Sequence, residues 1–268
     1  MANTVDKVIK IALGEVGYLE KSRQAYLANP AILYEKILGA GEDNYTKYGF
    51  EMHQIYPQIM DFPAFWCDAF VDWCFYKAYG VTTAKSLLGG NFDDYTVASA
   101  NMYKKHNAYY KTPMPGDQPF FRGSSRINHT GIVYAVDTSY FYTVEGNTSS
   151  AAGVVRNGGC VAIKKYKLGY SKVDGFGRPK YDVVLSNGQV VNSTPQTLAS
   201  KYPTVKYGDK NDYVKAWQNF LNLSGFNCGL ADGEFGPKTL AALKKWQKAK
   251  KLPVDGIVNE NDWLMVGK

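Results

Sequence analysis

Residues 62–80 read FPAFWCDAFVDWCFYKAYG. Pro63 just precedes a strongly apolar run that stops at Gly80, so the spacing predicts a helix with Pro before its start and Gly at its end. Cys67 then falls in the first turn, where unpaired amide groups and the helix dipole favour a thiolate. A cysteine buried mid-helix would be inert. Cys74 lies seven residues on, on almost the same face, so both thiols could equally be small core residues. A nucleophile needs a partner base, and that decides between the two readings.

Of the three histidines, His53 and His106 stand in polar stretches and read as surface or loop residues. His129 differs. The segment PMPGDQPFFRGSSRINHTGIVYAV (113–136) places a Pro-Gly-Asp turn, a polar loop and then His129 at the head of an apolar strand. From there it could take a proton from a thiol across a cleft, or simply cap the strand. On the next strand, TVEGNT offers Glu145 and Asn147. If 131–138 and 140–147 form a hairpin, alternation puts both side chains on one face, where either could orient the ring while the other helps fix a substrate. Glu-Gly-Asn is also an ordinary strand end.

Outward from these motifs, residues 4–19 carry helical apolar spacing, and GIVYAVDT (131–138), YFYTVEGN (140–147) and VAIKKYKL (161–168) read as strands. Helices first and strands after give an α+β domain over 1–182. Residues 183–204 are polar with Pro195 and Pro203, and read as a linker. A second unit, 205–268, reads as three short helices. The first has Asp209 as a candidate N-cap and Val214, Trp217, Phe220 and Leu221 on one side. The second opens at Pro237 and carries Leu240, Leu243 and Trp246, and the third lies around Trp263. Asp232-Gly233 and Asp255-Gly256 repeat one Asp-Gly turn 23 residues apart.

The ordered set of Trp-Cys at a helix start, Pro-Gly-Asp, His-x-Gly-Ile-Val and Glu-Gly-Asn, closing on GFGRPKYD (175–182), resembles the CHAP family of cysteine- and histidine-dependent amidohydrolases and peptidases that cut peptidoglycan. The resemblance implies a papain-like fold, with Cys67 as nucleophile, His129 as base, Glu145 as its orienter and Asn147 as a supporting polar group. The related NlpC type commonly orients with a second histidine, and Glu-x-Asn argues for CHAP instead. Residues 205–268 resemble the peptidoglycan-binding domain of many wall hydrolases, whose groove the resemblance places around Asp232, Gly233, Phe235, Trp246, Gln247, Asp255 and Gly256. Together they imply an endolysin that cuts a wall amide bond, as N-acetylmuramoyl-L-alanine amidase or as endopeptidase. A non-catalytic wall-binding protein is the alternative.

Composition narrows the remaining classes. The 268 residues are 45% hydrophobic and 21% charged, and no apolar run reaches the ~20 residues of a membrane span, so disorder and membrane insertion are excluded. The opening MANTVDKVIKIALGEVGYLEK is interrupted by charges and does not read as a secretory signal, so the expectation is synthesis in a host cytoplasm and action on the wall after release. Net charge is +7 and the basic residues are dispersed, which suits a polyanionic wall and argues against nucleic acid. The four cysteines are too scattered for a disulfide framework, and the histidines lack zinc spacing. Some phage CHAP domains bind calcium through acids just before the nucleophile. Here QIMDFPAFW offers only Asp61, so no metal or cofactor is expected, and the chain is expected to be a monomer.

Overall fold

The computed structural model describes residues 4–149, 151–155, 157–181, 204–259 and 262. The chain opens with α1 (Thr4–Gly14), α2 (Arg23–Ala28), a 3-10 turn (Pro30–Tyr34) and α3 (Lys47–Ile55). The first helix ends five residues before the apolar pattern does, because the chain turns at Gly17, which has φ +87°. Next come α4 (Cys67–Tyr79), α5 (Val81–Leu87) and α6 (Thr96–Lys105). The fourth helix has the bounds its sequence pattern predicts. Its first two and a half turns are buried on all sides, Cys67 through Phe75, so it is the central helix of the domain rather than an amphipathic surface one.

Among the described residues seven strands follow: β1 (Tyr109–Tyr110), β2 (Gln118–Arg122), β3 (Ile127–Thr130), β4 (Ile132–Val136), β5 (Tyr140–Thr148), β6 (Cys160–Lys167) and β7 (Val173–Gly177). They form two antiparallel sheets, ordered β1-β7-β2-β3 and β4-β5-β6. The domain is α+β, as its sequence predicts. The hairpin of β4 and β5 is present, but His129 does not belong to it. The apolar run after His129 is broken at Gly131, where the chain leaves one sheet for the other, so His129 stands on β3.

Two sequence motifs explain each other. Asp117 of the Pro-Gly-Asp turn accepts hydrogen bonds from Arg178 of the GFGRP segment, at 3.0 Å from Nε and 2.9 Å from Nη2. Burial pushes the Asp117 carboxyl up to about 6 while Arg178 pulls the other way, and this paired charge ties the domain's last residues to β2.

The second unit contains α7 (Asp212–Leu223) and α8 (Pro237–Ala249), and the expected third helix lies outside the described residues, as does the linker. The N-cap of α7 is Asn211, whose side chain accepts from Val214 N, and not Asp209, which instead accepts from Lys206 N in the preceding turn. Trp217 and Trp246 meet edge to face at 5.1 Å between ring centroids in the core of this unit. Among the described residues no helix is long and apolar enough to cross a membrane.

Candidate active site

The head of α4 is left open. Its N-cap residue is Trp66, whose side chain makes no capping hydrogen bond, so the first amide groups of the helix keep their polarity at the place where Cys67 sits. Trp66 is held from behind, because its indole N–H donates to Glu20 Oε2 at 2.7 Å. Gly146 of β5 lies against the same turn, and a Cβ there would stand 2.6 Å from Phe70 Cβ and 2.9 Å from the Trp66 ring. This close approach of strand to helix head sets the depth of the site. Cys67 is buried, with 5% of its surface exposed.

His129 is fully buried, and its Nε2 lies 2.8 Å from Glu145 Oε2. The other Glu145 oxygen accepts from the Thr143 hydroxyl at 2.6 Å, so the carboxylate is held at both ends. Burial by itself would lower the imidazole's pKa. The Glu145 charge, the interaction with Cys67 and the hydrogen bond to Glu145 overcome it and raise the ring to about 10. With Nε2 engaged, Nδ1 is the nitrogen left for Cys67. Nδ1 makes no hydrogen bond among the described residues, and Cys67 is close enough to help raise the ring's pKa. Cys67, His129 and Glu145 are thus brought together by a helix head, one sheet and the other sheet, with His129 as the group that both of the others influence.

Asn147 is not part of that group. The pairing of β5 with β6 slips between Glu145 and Thr148, and Asn147 adopts φ +50°, so the alternation that would place it beside Glu145 is broken. It is buried, and neither amide atom has a hydrogen-bond partner among the described residues. His53 and His106 are elsewhere. Each turns Nδ1 to a nearby carbonyl, of Met60 and Met102 respectively. Cys74 is buried in the core, and burial, with Glu15 nearby, pushes its thiol well above the usual range. It is the inert thiol of the pair. Among the described residues no three acidic, histidine or cysteine side chains converge to hold a metal ion.

In the second unit the two Asp-Gly turns are built alike. Gln218 and Gln247 each direct Nε2 at the aspartate of a turn, Asp232 at 2.9 Å and Asp255 at 2.9 Å. Each accepts from the glycine that follows, Gly233 N at 2.8 Å and Gly256 N at 3.0 Å. Those glycines have φ +84° and +73°, which glycine adopts without strain. Trp217-Gln218 and Trp246-Gln247 are therefore the two halves of an internal repeat whose second signature, a Trp-Gln pair 29 residues apart, was readable in the sequence. Phe235, Trp246 and Gln247 are buried, so they shape the turns from beneath, and the Asp255 side of the turn is the exposed one.

A cysteine at an uncapped helix head, set against a strand histidine backed by a carboxylate, defines an α+β protein of the papain-like kind. The CHAP domain family model matches residues 59–147, and the peptidoglycan binding domain family model matches residues 210–263. This chain belongs to the CHAP-domain proteins that carry a C-terminal peptidoglycan-binding domain. A protein described as "Uncharacterized protein in bpoA1 3'region" from Kitasatospora aureofaciens is 35% identical over 94 residues, 33% of this chain and 75% of that protein. The solved structure of the SleB N-terminal domain is 32% identical, over 25% of this chain and 93% of that one, with a TM-score of 0.24.

Proposed function

We propose that this chain is a cysteine-dependent peptidoglycan hydrolase of the endolysin type, acting as a monomer without a cofactor on the wall after its release. The observation that carries the reading is the buried group of Cys67, His129 and Glu145, in which a carboxylate favours the protonated ring beside a thiol. The Cys67 proton passes to His129 Nδ1, and the thiolate attacks an amide carbonyl of a wall peptide. The oxyanion is met by backbone N–H groups at the uncapped head of α4, Cys67 among them. Imidazolium His129 then gives its proton to the leaving amine, and water hydrolyses the thioester, returning the thiol. The second unit holds the enzyme on the wall, with contact made from the exposed rims of the two turns.

Release of dye-labelled fragments from purified walls tests this, with Cys67→Ala and His129→Ala beside the wild type. Both variants should release nothing above background while still sedimenting with walls. A Cys67→Ala variant that lyses as well as wild type ends the reading, and a wild type that binds walls without cutting them makes the chain a wall-binding protein. Mass spectrometry of the released fragments separates amidase from endopeptidase cleavage, because the new amines differ in sequence.

A further inference from the structure

The residue after the nucleophile is a fully buried acid. Asp68 accepts from the Ser99 hydroxyl of α6 at 2.6 Å through one oxygen and from the Gln118 side-chain amide of β2 at 2.8 Å through the other. A single carboxylate therefore joins the first turn of the nucleophile's helix to a second helix and to the sheet that carries His129. The N-cap residue of this helix, Trp66, makes no side-chain capping hydrogen bond, so the Asp68 contacts are side-chain ties of the first turn to its neighbours. We propose that Asp68 is the positioning residue for Cys67: its two hydrogen bonds fix the helix head against β2 and α6, and so hold Sγ at the reach of His129. The inference rests on the reading of Cys67 as nucleophile and names the group that sets its geometry.

The charged form of this carboxylate is disfavoured where it stands. Asp68 is pushed up to about 7 by burial, with the Ser99 and Gln118 hydrogen bonds opposing and the charges of Asp93 and Asp94 adding to the rise. Asp72, one turn along α4, is also buried, and the Tyr103 hydroxyl of α6 is near both. None of these neighbours is a cation. An acid whose pKa is higher in the folded state than in the unfolded one favours folding most at low pH, and that contribution is lost as pH rises from about 4 to about 7. Above pH 7 the charged form therefore opposes the fold. A buried charge kept at a cost beside a reacting group is characteristic of a functional site.

The hydrogen-bonding role and the charge can be separated. An asparagine can keep both contacts, because the Ser99 hydroxyl and the Gln118 amide each turn to offer either a donor or an acceptor. Alanine keeps neither. Turnover of soluble muropeptides and the rate of iodoacetamide alkylation at Cys67, located by peptide mass, would be measured on the full chain at pH 8. Asp68→Ala should lower kcat and the alkylation rate at least tenfold with KM within twofold. Asp68→Asn should stay within threefold of wild type on both and melt no lower than wild type at pH 8. Ser99→Ala, which removes one contact, should slow alkylation threefold or more, and it decides the matter if Asp68→Ala does not fold. Wild-type alkylation in Asp68→Ala or Ser99→Ala, or an Asp68→Asn as slow as Asp68→Ala, overturns the proposal. If the wild type cuts no muropeptide, the hydrolase reading fails, while alkylation still tests the positioning of the thiol.

Discussion

Gly131 lies so close beneath Glu145 that a Cβ at that position would stand 2.6 Å from Glu145 Cγ and 2.7 Å from the Val144 carbonyl oxygen. The His-x-Gly motif thus has a steric meaning. The chain must step between sheets two residues after His129, and only a residue without a side chain lets the carboxylate reach the ring. Gly131→Ala should displace β5 or Glu145, cost about 1–3 kcal/mol as overpacking does, and lower kcat at least tenfold. Thermal melts and wall turnover on the same preparation check both effects. Wild-type turnover in this variant would mean that the Glu145 contact is dispensable.

The Glu145 and His129 pair also makes a pH-dependent contribution to stability. A histidine raised from 6.5 to about 10 by folding contributes stability that is fully present below its unfolded pKa and is lost as pH climbs through about 10. Glu145→Gln removes the main cause of that rise. The variant should therefore be less stable than wild type by about 3 kcal/mol near pH 6, with the gap narrowing steadily toward pH 10. Denaturant melts at pH 6, 8 and 10 measure it, and a gap that is constant with pH would show that the pair is not charged in the fold.

Cys74→Ser puts a hydroxyl into a site with no exposed surface. It should cost about 1–3 kcal/mol if the hydroxyl finds no partner, yet leave turnover per folded molecule unchanged, since Cys74 is remote from the ring. Lysis rate divided by folded fraction gives the number. A dead but folded Cys74→Ser would transfer the nucleophile's role to it.

What the sequence made legible, and what it hid, follows from the range of the interactions. The helix 67–79 and the strands at 132–136, 140–148 and 160–167 are set by local apolar pattern, and they lie where that pattern puts them. The hairpin of 131–138 with 140–147 is present and Glu145 reaches His129 from it, but that His129 stands on the other sheet was not legible, because a single glycine moves the chain between sheets and leaves no periodic trace. Asn147 left the expected face through a slip in register that alternation cannot foresee. Glu20 under Trp66, and Ser99 and Gln118 on Asp68, are joined across 46, 31 and 50 residues, and no spacing rule finds such partners. The Trp217-Gln218 half of the repeat was visible, and the signal for it was the second Trp-Gln pair.

In the second unit the two glutamines bear equivalent loads. Replacing Gln247 by alanine leaves Asp255 Oδ1 without its glutamine donor and Gly256 N without its acceptor, and the same holds for Gln218 with Asp232 and Gly233. Each variant should lose roughly 2–4 kcal/mol, since the glutamine's buried partners, the glycine N–H and the oxygen of Asp262 for Gln247 or of Thr239 for Gln218, are left unmatched at about 1–3 kcal/mol apiece. Wall sedimentation of the full chain should fall at least tenfold in either case while turnover of soluble muropeptides stays within twofold. Loss from Gln247→Ala alone would mean that the two turns are not equivalent.

The last prediction concerns Asn147, whose backbone and side chain both suggest that it is retained for something other than the fold. A left-handed φ costs any residue with a side chain, and a buried amide without partners costs about 1–3 kcal/mol more. Glycine removes both costs at once. Asn147→Gly should therefore hold or raise the melting temperature, an outcome that a merely structural asparagine would not give. If the amide meets the substrate, turnover should fall, about three- to tenfold for a neutral hydrogen bond of roughly 1 kcal/mol. The loss should be smaller than that of Glu145→Gln, which deprives the ring of its charged partner. Rates of the two variants on one wall preparation, with folding checked by circular dichroism, rank the two residues. A larger loss for Asn147→Gly would place the asparagine, and not Glu145, on the imidazole during the reaction, and would require the ring to turn away from the contact seen at 2.8 Å.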